Sequence, residues 1–253
     1  EGSPIRARRI EVGSQDDEVE FMFDQGFSDG LPLVPPTPER VLAMLSGTTR
    51  DAQEVLGEMA PNMGEVTIEK VAINAVMAGC KPEYLPVVLA AVEAILTDDY
   101  NIHGVMATTM GASPVIVVNG PIRERIGMNM GLGALGQGNR ANATIGRALR
   151  LVIRNVGVGK PGIGGIDRSA LGAPSKVGWC FGEDEESLPD GWPPLSVSRG
   201  FLEGEDTVTL FAGHGPVGCI DQISRTPESL VRTLAQQLQC VGNRKLPGEA
   251  MVV

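Results

Sequence analysis

Histidine and cysteine, the side chains whose ordinary pKa lies nearest to neutrality, are few in this chain. Its 253 residues include two histidines and four cysteines. His103 lies in a Thr-rich stretch before the β-branched run at residues 115–118. We predict it as a general acid or base, because the ordinary pKa of histidine is near neutrality. A hydrogen-bonded structural histidine is an equally good interpretation. Asn119 follows the run directly, at a strand end of the kind that carries functional residues, and is a candidate for orienting a substrate.

Cys80 is the best candidate nucleophile among the cysteines. It stands beside Lys81 and just before Pro82, where a helix is predicted to begin. A neighbouring cation and a helix N-terminus both lower the pKa of a thiol and favour the reactive thiolate. The alternative is a small buried thiol at the corner between two helices, an environment in which cysteine is common.

His103, Met106 and Met110 are also conceivable as soft ligands for copper. The two methionines would equally well fill a core or line a pocket, since methionine adapts to irregular gaps. No further His or Cys stands at a convincing ligand spacing, and so we assign no residue to a metal. The sequence assigns no organic cofactor.

Residues 127–155 form the stretch around which we expect the chain to be organised, a glycine-rich loop that leads into an amphipathic helix. Glycine lets backbone N–H groups approach a ligand closely, and a helix N-terminus favours negative charge. We therefore predict a binding site for a carboxylate or phosphate. Its candidate residues are Gly131, Gly133, Gly136, Asn139, Arg140 and Asn142. In the alternative interpretation, the glycines only let the helix pack closely against another backbone.

Residues 131–136 match G-x-G-x-x-G, but the match does not indicate a dinucleotide site. That motif needs a strand directly before it and an acidic residue about 20 positions later. No Asp or Glu stands between Glu124 and Asp167. A second glycine-rich loop carries Lys160, which could serve an anion. It is not a P-loop, because Pro161 stands where Ser or Thr is needed.

The helix that follows the first loop carries two patterns. Apolar residues recur every three or four positions from Ala143 to Val156, which predicts one buried face. Arg147, Arg150 and Arg154 add a basic stripe to the same helix. The stripe is either a solvated face or a local basic patch.

The elements that must position these residues alternate between helices and strands. Helices are predicted at residues 37–46, 67–79, 82–97 and 227–240, and strands at 115–118, 177–181, 195–197 and 207–211. The helices at 67–79 and 82–97 are apolar over most of their surface, as in a large core or a subunit interface. We therefore expect an α/β or α+β fold, in which a mixed sheet is flanked by apolar helices and glycine-rich loops lie at strand and helix ends. Residues 1–15 are expected to form an N-terminal arm, and residues 16–253 a single globular domain.

Composition narrows the class of protein. The net charge of −10 disfavours a nucleic-acid partner, and no apolar run approaches the length of a membrane span. The first residues are charged, unlike a signal peptide. The cysteines show no C-x-x-C spacing and are typical of reduced thiols, so a cytoplasmic location is expected.

Four stretches together resemble a bacterial family associated with proteins of the UGSC type. They read DGLPLVPPT at 29–37, MAGCKPEYLPVVLAAVEA at 77–94, ATTMGASPVIVVNGP at 107–121 and RANATIGRALRL at 140–151. UGSC-type proteins carry a Cys- or selenocysteine-Gly-Ser-Cys motif, which this chain lacks. The resemblance therefore implies a bacterial metabolic enzyme whose redox-active sulfur belongs to a second subunit.

The sequence leaves three functions open. The first is an enzyme, or a subunit of a heteromeric enzyme, that acts on a small anionic metabolite and is linked to thiol or redox chemistry through a partner domain. The second is a non-catalytic structural or regulatory subunit, and the third is a copper-binding protein. In the first two the chain is expected to be part of an oligomer.

Overall fold

The computed structural model describes residues 3–13, 17–162 and 165–241. The chain divides into two compact units, one ending at His214 and one beginning at Gly215. A single globular domain was expected over residues 16–253, without a boundary at this position.

The first unit contains eight α-helices and five strands within its described residues. The helices are α1 (Glu18–Asp24), α2 (Pro38–Leu45), α3 (Ile68–Ala78), α4 (Leu85–Ile95), α5 (Ile102–Ala107), α6 (Ile122–Arg125), α7 (Arg140–Asn155) and α8 (Leu195–Ser198). The strands are β1 (Val55–Met59), β2 (Gly64–Thr67), β3 (Ser113–Asn119), β4 (Cys180–Gly182) and β5 (Thr207–Gly213). Short 3-10 turns lie at Pro82–Tyr84, Pro174–Lys176 and Glu185–Ser187.

A mixed three-stranded sheet forms the centre of this unit, in the order β4-β3-β5. β3 runs parallel to β4 and antiparallel to β5. Every residue of β3 is buried, as its β-branched run predicts. Ile116 and Val118 belong to the main core with α3, α4 and α7, while Val115 and Val117 join a smaller cluster on the opposite face. The predicted mixed α/β architecture is confirmed.

The helix ends follow their sequence signals. Thr37 and Thr67 cap α2 and α3 by accepting hydrogen bonds from the third backbone N–H of each helix. α3 ends at Gly79, whose φ of +90° is the left-handed conformation that glycine adopts most easily. α7 packs chiefly against α3 and also contacts α4, β3 and β4. Its predicted apolar face therefore lies in the core.

One local prediction differs from the structure, and one pair of strands was not predicted. Residues 195–197 were predicted as a strand and instead form the short helix α8, whose first N–H, from Leu195, is held by the Glu183 carboxylate at 2.8 Å. The antiparallel pair of β1 and β2 is not predicted from the sequence. A contact from a distant side chain fixes α8, and local propensity carries no information on such contacts.

The N-terminal arm is described from residue 3 to residue 13. It contacts residues of the first unit, to which it belongs. The Glu69 carboxylate, which is 3% exposed, accepts hydrogen bonds from the backbone N–H groups of Arg6 and Ala7 at 2.8 Å each. The Gln53 amide bridges the carbonyl of Pro4 and the second oxygen of Glu69. These four bonds fasten the start of the arm.

The second unit is described from Gly215 to Val241 and carries α9 (Pro227–Val241), in agreement with the predicted helix at 227–240. The Asp221 carboxylate ties the preceding turn to this helix through the hydroxyls of Ser224 and Thr233 at 2.6 Å each. Among the residues described in both units, no helix combines the length and the apolar character that crossing a bilayer requires.

Candidate functional site

The glycine-rich loop before α7 folds into turns of its own. Gly136 N donates to Gly133 O at 2.8 Å, and Ala134 N donates to Gly131 O at 3.0 Å. All three glycines are exposed, and a Cβ at Gly131 or Gly133 would meet nothing within 4 Å. These glycines therefore do not bring α7 close to another backbone. Glycine is favoured at position 133 because the backbone there has a φ of +77°, which would strain a residue with a side chain.

The asparagines predicted to hold an anion instead hold the loop on the helix. Asn139 caps α7, since its Oδ1 accepts from Asn142 N at 3.0 Å. Asn142 is buried, with its Oδ1 accepting from Asn129 N at 3.1 Å. Its Nδ2 donates to the carbonyls of Asn129 and Ala134 at 2.8 and 3.1 Å. These side-chain groups are occupied by the loop itself.

Cys80 is buried against α7, and its thiol donates to the carbonyl of Thr144 at 3.3 Å. Burial raises the pKa of this thiol from 9.0 to about 12, and the hydrogen bond and the charge of Arg140 offset only part of that effect. The protonated thiol is therefore favoured over the predicted thiolate, because loss of hydration outweighs the neighbouring positive charge. Arg140 is exposed and donates its Nε to the carbonyl of Gly79 at 2.9 Å.

His103 and Asn119 lie in different environments. His103 is exposed on α5, whereas Asn119 is fully buried at the end of β3. The Asn119 amide nitrogen donates to the carboxylates of Glu183 and Glu185 at 2.5 and 2.8 Å. The Asn119 amide therefore links the end of β3 to the residue after β4 and to the turn at Glu185–Ser187. Because the side chain is fully buried, it presents no exposed group to a substrate.

Lys160 belongs to a loop that borders a cavity. Its backbone N–H donates to Val158 O, and its carbonyl accepts from Asp167 N. The residues on either side of it, Gly159 and Pro161, line the cavity, and its own side chain is half-buried.

The cavity has a volume of about 610 Å³ and lies between the C-terminal half of α7 and two described stretches, residues 159–161 and 167–177. Its charged lining residues are Asp29, Arg150, Arg154, Asp167 and Lys176. The remaining wall is small or apolar, and includes Ala170, Ala173 and Val177. Arg150 and Arg154 stand one helical turn apart, so that their side chains are neighbours. The basic stripe of α7 therefore lines a cavity.

Three charged side chains meet on one side of this cavity. Lys176 donates to both carboxylate oxygens of Asp167, at 2.8 and 2.9 Å. Arg150 lies 3.6 Å from the same carboxylate and donates its Nε to the carbonyl of Lys176 at 2.9 Å. Burial lowers the pKa of Arg150 and of Lys176, and the negative charge of Asp167 offsets only part of that decrease. One carboxylate thus balances two positive charges.

Arg154 is the cation of the cavity that has no partner among the described residues. Within the described part of the chain, its Nε is buried without a hydrogen bond, and no carboxylate lies within ion-pair distance of its guanidinium. Burial lowers the pKa of Arg154, although the charge of Asp29 opposes that effect. Asp29 is itself engaged by Arg147, through Nε at 2.9 Å and Nη2 at 2.8 Å.

The segment that closes the cavity approaches α7 at two glycines. A Cβ at Gly146 would lie 2.6 Å from Trp179 N, and a Cβ at Gly178 would lie 2.4 Å from Arg147 N. Both distances are too short for a real side chain, so only glycine allows the backbones to meet here. This contact places Lys176 beside Arg150.

Sequence reasoning found the arginine stripe but missed Asp29, Asp167 and Lys176. One signal was present: α7 carries arginines at one-turn spacings and no acidic residue of its own to balance them. Partners for those charges had to come from elsewhere in the chain.

A metal centre is not supported by the described residues, in which no three His, Cys, Asp or Glu side chains are arranged to hold an ion. Of the conceivable copper ligands, Met106 is fully buried and its sulfur faces the Arg150 guanidinium at 3.9 Å. A positive guanidinium disfavours a cation at that sulfur.

In comparisons with known proteins, the chain matches no protein-family model, no curated protein and no solved structure.

Proposed function

We propose that this chain binds a small anionic molecule in the cavity beside α7, as a subunit of an enzyme that acts on that molecule. The observation that carries the proposal is Arg154, a cation whose Nε is buried without a partner. Arg150 and Lys176 share a single carboxylate beside it. A buried polar nitrogen is costly unless it is hydrogen-bonded, and a bound anion would supply the missing acceptor.

The cavity also has the size and walls of a metabolite site. Its volume of about 610 Å³ lies within the range of small-molecule pockets, and small or apolar residues form the rest of its wall. The guanidinium groups of Arg150 and Arg154 present several donors in fixed geometry, which suits carboxylate and phosphate.

Calorimetric titration with small carboxylates and phosphates, at constant ionic strength, tests the binding step. Arg154→Gln removes the unpaired charge and is expected to weaken binding at least about tenfold, as loss of a charge-assisted contact does. Arg199→Gln is the matched control, since Arg199 is exposed and outside the cavity lining. The proposal fails if no anion in the panel binds. It also fails if Arg154→Gln binds anions as tightly as the Arg199→Gln control and the unmodified protein do.

We assign a thiol-linked step to a partner chain, because such a step needs a reactive sulfur beside the bound molecule. The described residues that line the cavity include neither a cysteine nor a histidine, and Cys80 is held as a buried thiol elsewhere. Native mass spectrometry of the untagged protein from its source tests this part. A co-purifying chain that carries a Cys or selenocysteine motif is expected, whereas turnover by the isolated chain alone would contradict it.

A further inference from the structure

We infer that the ligand of this cavity is a small organic dianion, a molecule with two negative charges such as a phosphate monoester or a dicarboxylate. The inference rests on the proposed function, since it specifies the class of anion that the same site binds.

The charges around the cavity leave an excess of two. Among the described lining residues, Arg150, Arg154 and Lys176 are positive and Asp29 and Asp167 are negative. Arg147, which lies outside the lining, already engages Asp29. Asp29 is paired bidentately with Arg147. Asp167 can balance either Arg150 or Lys176 but not both. One of these two cations, together with Arg154, therefore remains unbalanced.

The two unbalanced charges lie close enough for one ligand to reach both. Arg150 and Arg154 are four residues apart on α7, a spacing that makes their side chains neighbours. Lys176 lies next to Arg150 through their common partner, Asp167. A monoanion would leave one cation unpaired, with its desolvation unrecovered, whereas a dianion would balance both.

The rest of the cavity points to an organic ligand. A volume of about 610 Å³ is much larger than an inorganic phosphate requires. Beyond the cations, the wall consists of small or apolar residues that offer few polar groups, among them Ala170, Ala173 and Val177. A ligand body without further charge fits that wall.

Pairs of ligands that match in size and differ by one charge test the inference. One pair is methyl phosphate and dimethyl phosphate, and the other is succinate and its monomethyl ester. Titrations near pH 8 and at constant ionic strength keep the phosphate monoester fully dianionic, since its second pKa is about 6. In at least one pair, we expect the dianion to bind the full-length protein at least about tenfold more tightly than the monoanion.

Two variants locate the effect. Arg154→Gln reduces the excess to one charge and is expected to diminish the preference for the dianion at least about threefold, beyond any loss common to both ligands. Arg199→Gln, an exposed control, is expected to retain the preference of the unmodified protein.

Three outcomes separate the inference from the proposed function. If a monoanion binds as tightly as its matched dianion in both pairs, the dianion inference is overturned while anion binding stands. If none of the four ligands nor any other small anion binds, both fail. If only the phosphate pair or only the dicarboxylate pair shows the preference, the inference is supported and the kind of dianion is identified.

Discussion

Arg147 and Asp29, which stand 118 positions apart in the sequence, form a bidentate ion pair in which Nε–Oδ2 is 2.9 Å and Nη2–Oδ1 is 2.8 Å. The same guanidinium donates to the carbonyls of Leu31 and Pro32. The proline-rich segment that follows Asp29 is thereby fixed to α7 at the edge of the cavity.

The first prediction concerns this pair and acid. Burial alone would raise the pKa of Asp29, but the hydrogen bonds and charge of Arg147 outweigh it and hold that pKa below 3.8. The ionised form is therefore favoured by folding, so its contribution is complete above pH 3.8 and is lost as the pH falls through the folded pKa. Asp29→Asn should lower the free energy of unfolding by about 1–3 kcal/mol at neutral pH.

Urea denaturation at neutral pH and near pH 3 measures this effect. The difference between Asp29→Asn and the unmodified protein should shrink at the lower pH. Asp190→Asn, at an exposed aspartate, serves as the control and should differ little at either pH. A deficit for Asp29→Asn that is as large in acid as at neutral pH would show that the ion pair is not its source.

The second prediction concerns Cys80, whose folded pKa of about 12 exceeds the ordinary 9.0. An unfolded chain loses this proton above pH 9 while the folded chain keeps it, so folding stability is unaffected below pH 9 and falls as the pH rises toward 12. The loss should be about 1 kcal/mol between pH 9 and pH 10, because half of the unfolded thiols are already ionised at pH 9. Cys80→Ser keeps a donor for the Thr144 carbonyl but does not titrate there, and its stability should fall less steeply.

Thiol labelling checks the same burial. With iodoacetamide at neutral pH, peptide mass spectrometry should find Cys219, which is exposed, modified first. Cys80 and Cys180 are buried and should react only after denaturant is added. Rapid labelling of Cys80 in the folded protein would restore it as a candidate nucleophile.

The third prediction distinguishes two kinds of glycine. Gly146→Ala would place a Cβ 2.6 Å from Trp179 N, and we expect a loss of about 1–3 kcal/mol in unfolding free energy and weaker anion binding, because the segment that carries Lys176 would shift. Gly131→Ala meets nothing within 4 Å and should leave both quantities unchanged. Thermal denaturation and anion titration of the two variants provide the measurements. Loss of anion binding in Gly131→Ala alone would move the site back to the glycine-rich loop.

The fourth prediction concerns His103. Since this residue is exposed on α5 and does not line the cavity, His103→Ala should change anion affinity by less than about twofold and stability by less than about 0.5 kcal/mol. Calorimetric titration beside Arg154→Gln makes the comparison direct. A tenfold loss of affinity in a well-folded His103→Ala protein would place the histidine in the site.

Local sequence patterns were sufficient for the main elements. The β-branched run predicted β3, and the recurrence of apolar residues from Ala143 to Val156 predicted α7 with its buried face. The caps Thr37 and Thr67 marked helix starts because capping depends on residues only three positions away. The arginine stripe of α7 was visible in the same way.

The tertiary structure alone decided which groups surround the stripe and how deeply Cys80 is buried. Asp29, Asp167 and Lys176 reach the stripe from distant positions, across contacts that leave no periodic trace in the sequence. The pKa of Cys80 depends on how many neighbours exclude water from it, and its sequence neighbours suggested the opposite direction. The sequence by itself determined the main helices, the central strand and which residues carry charge, because those properties are largely local. Pairing and burial were decided by the fold, because both depend on which distant segments come into contact.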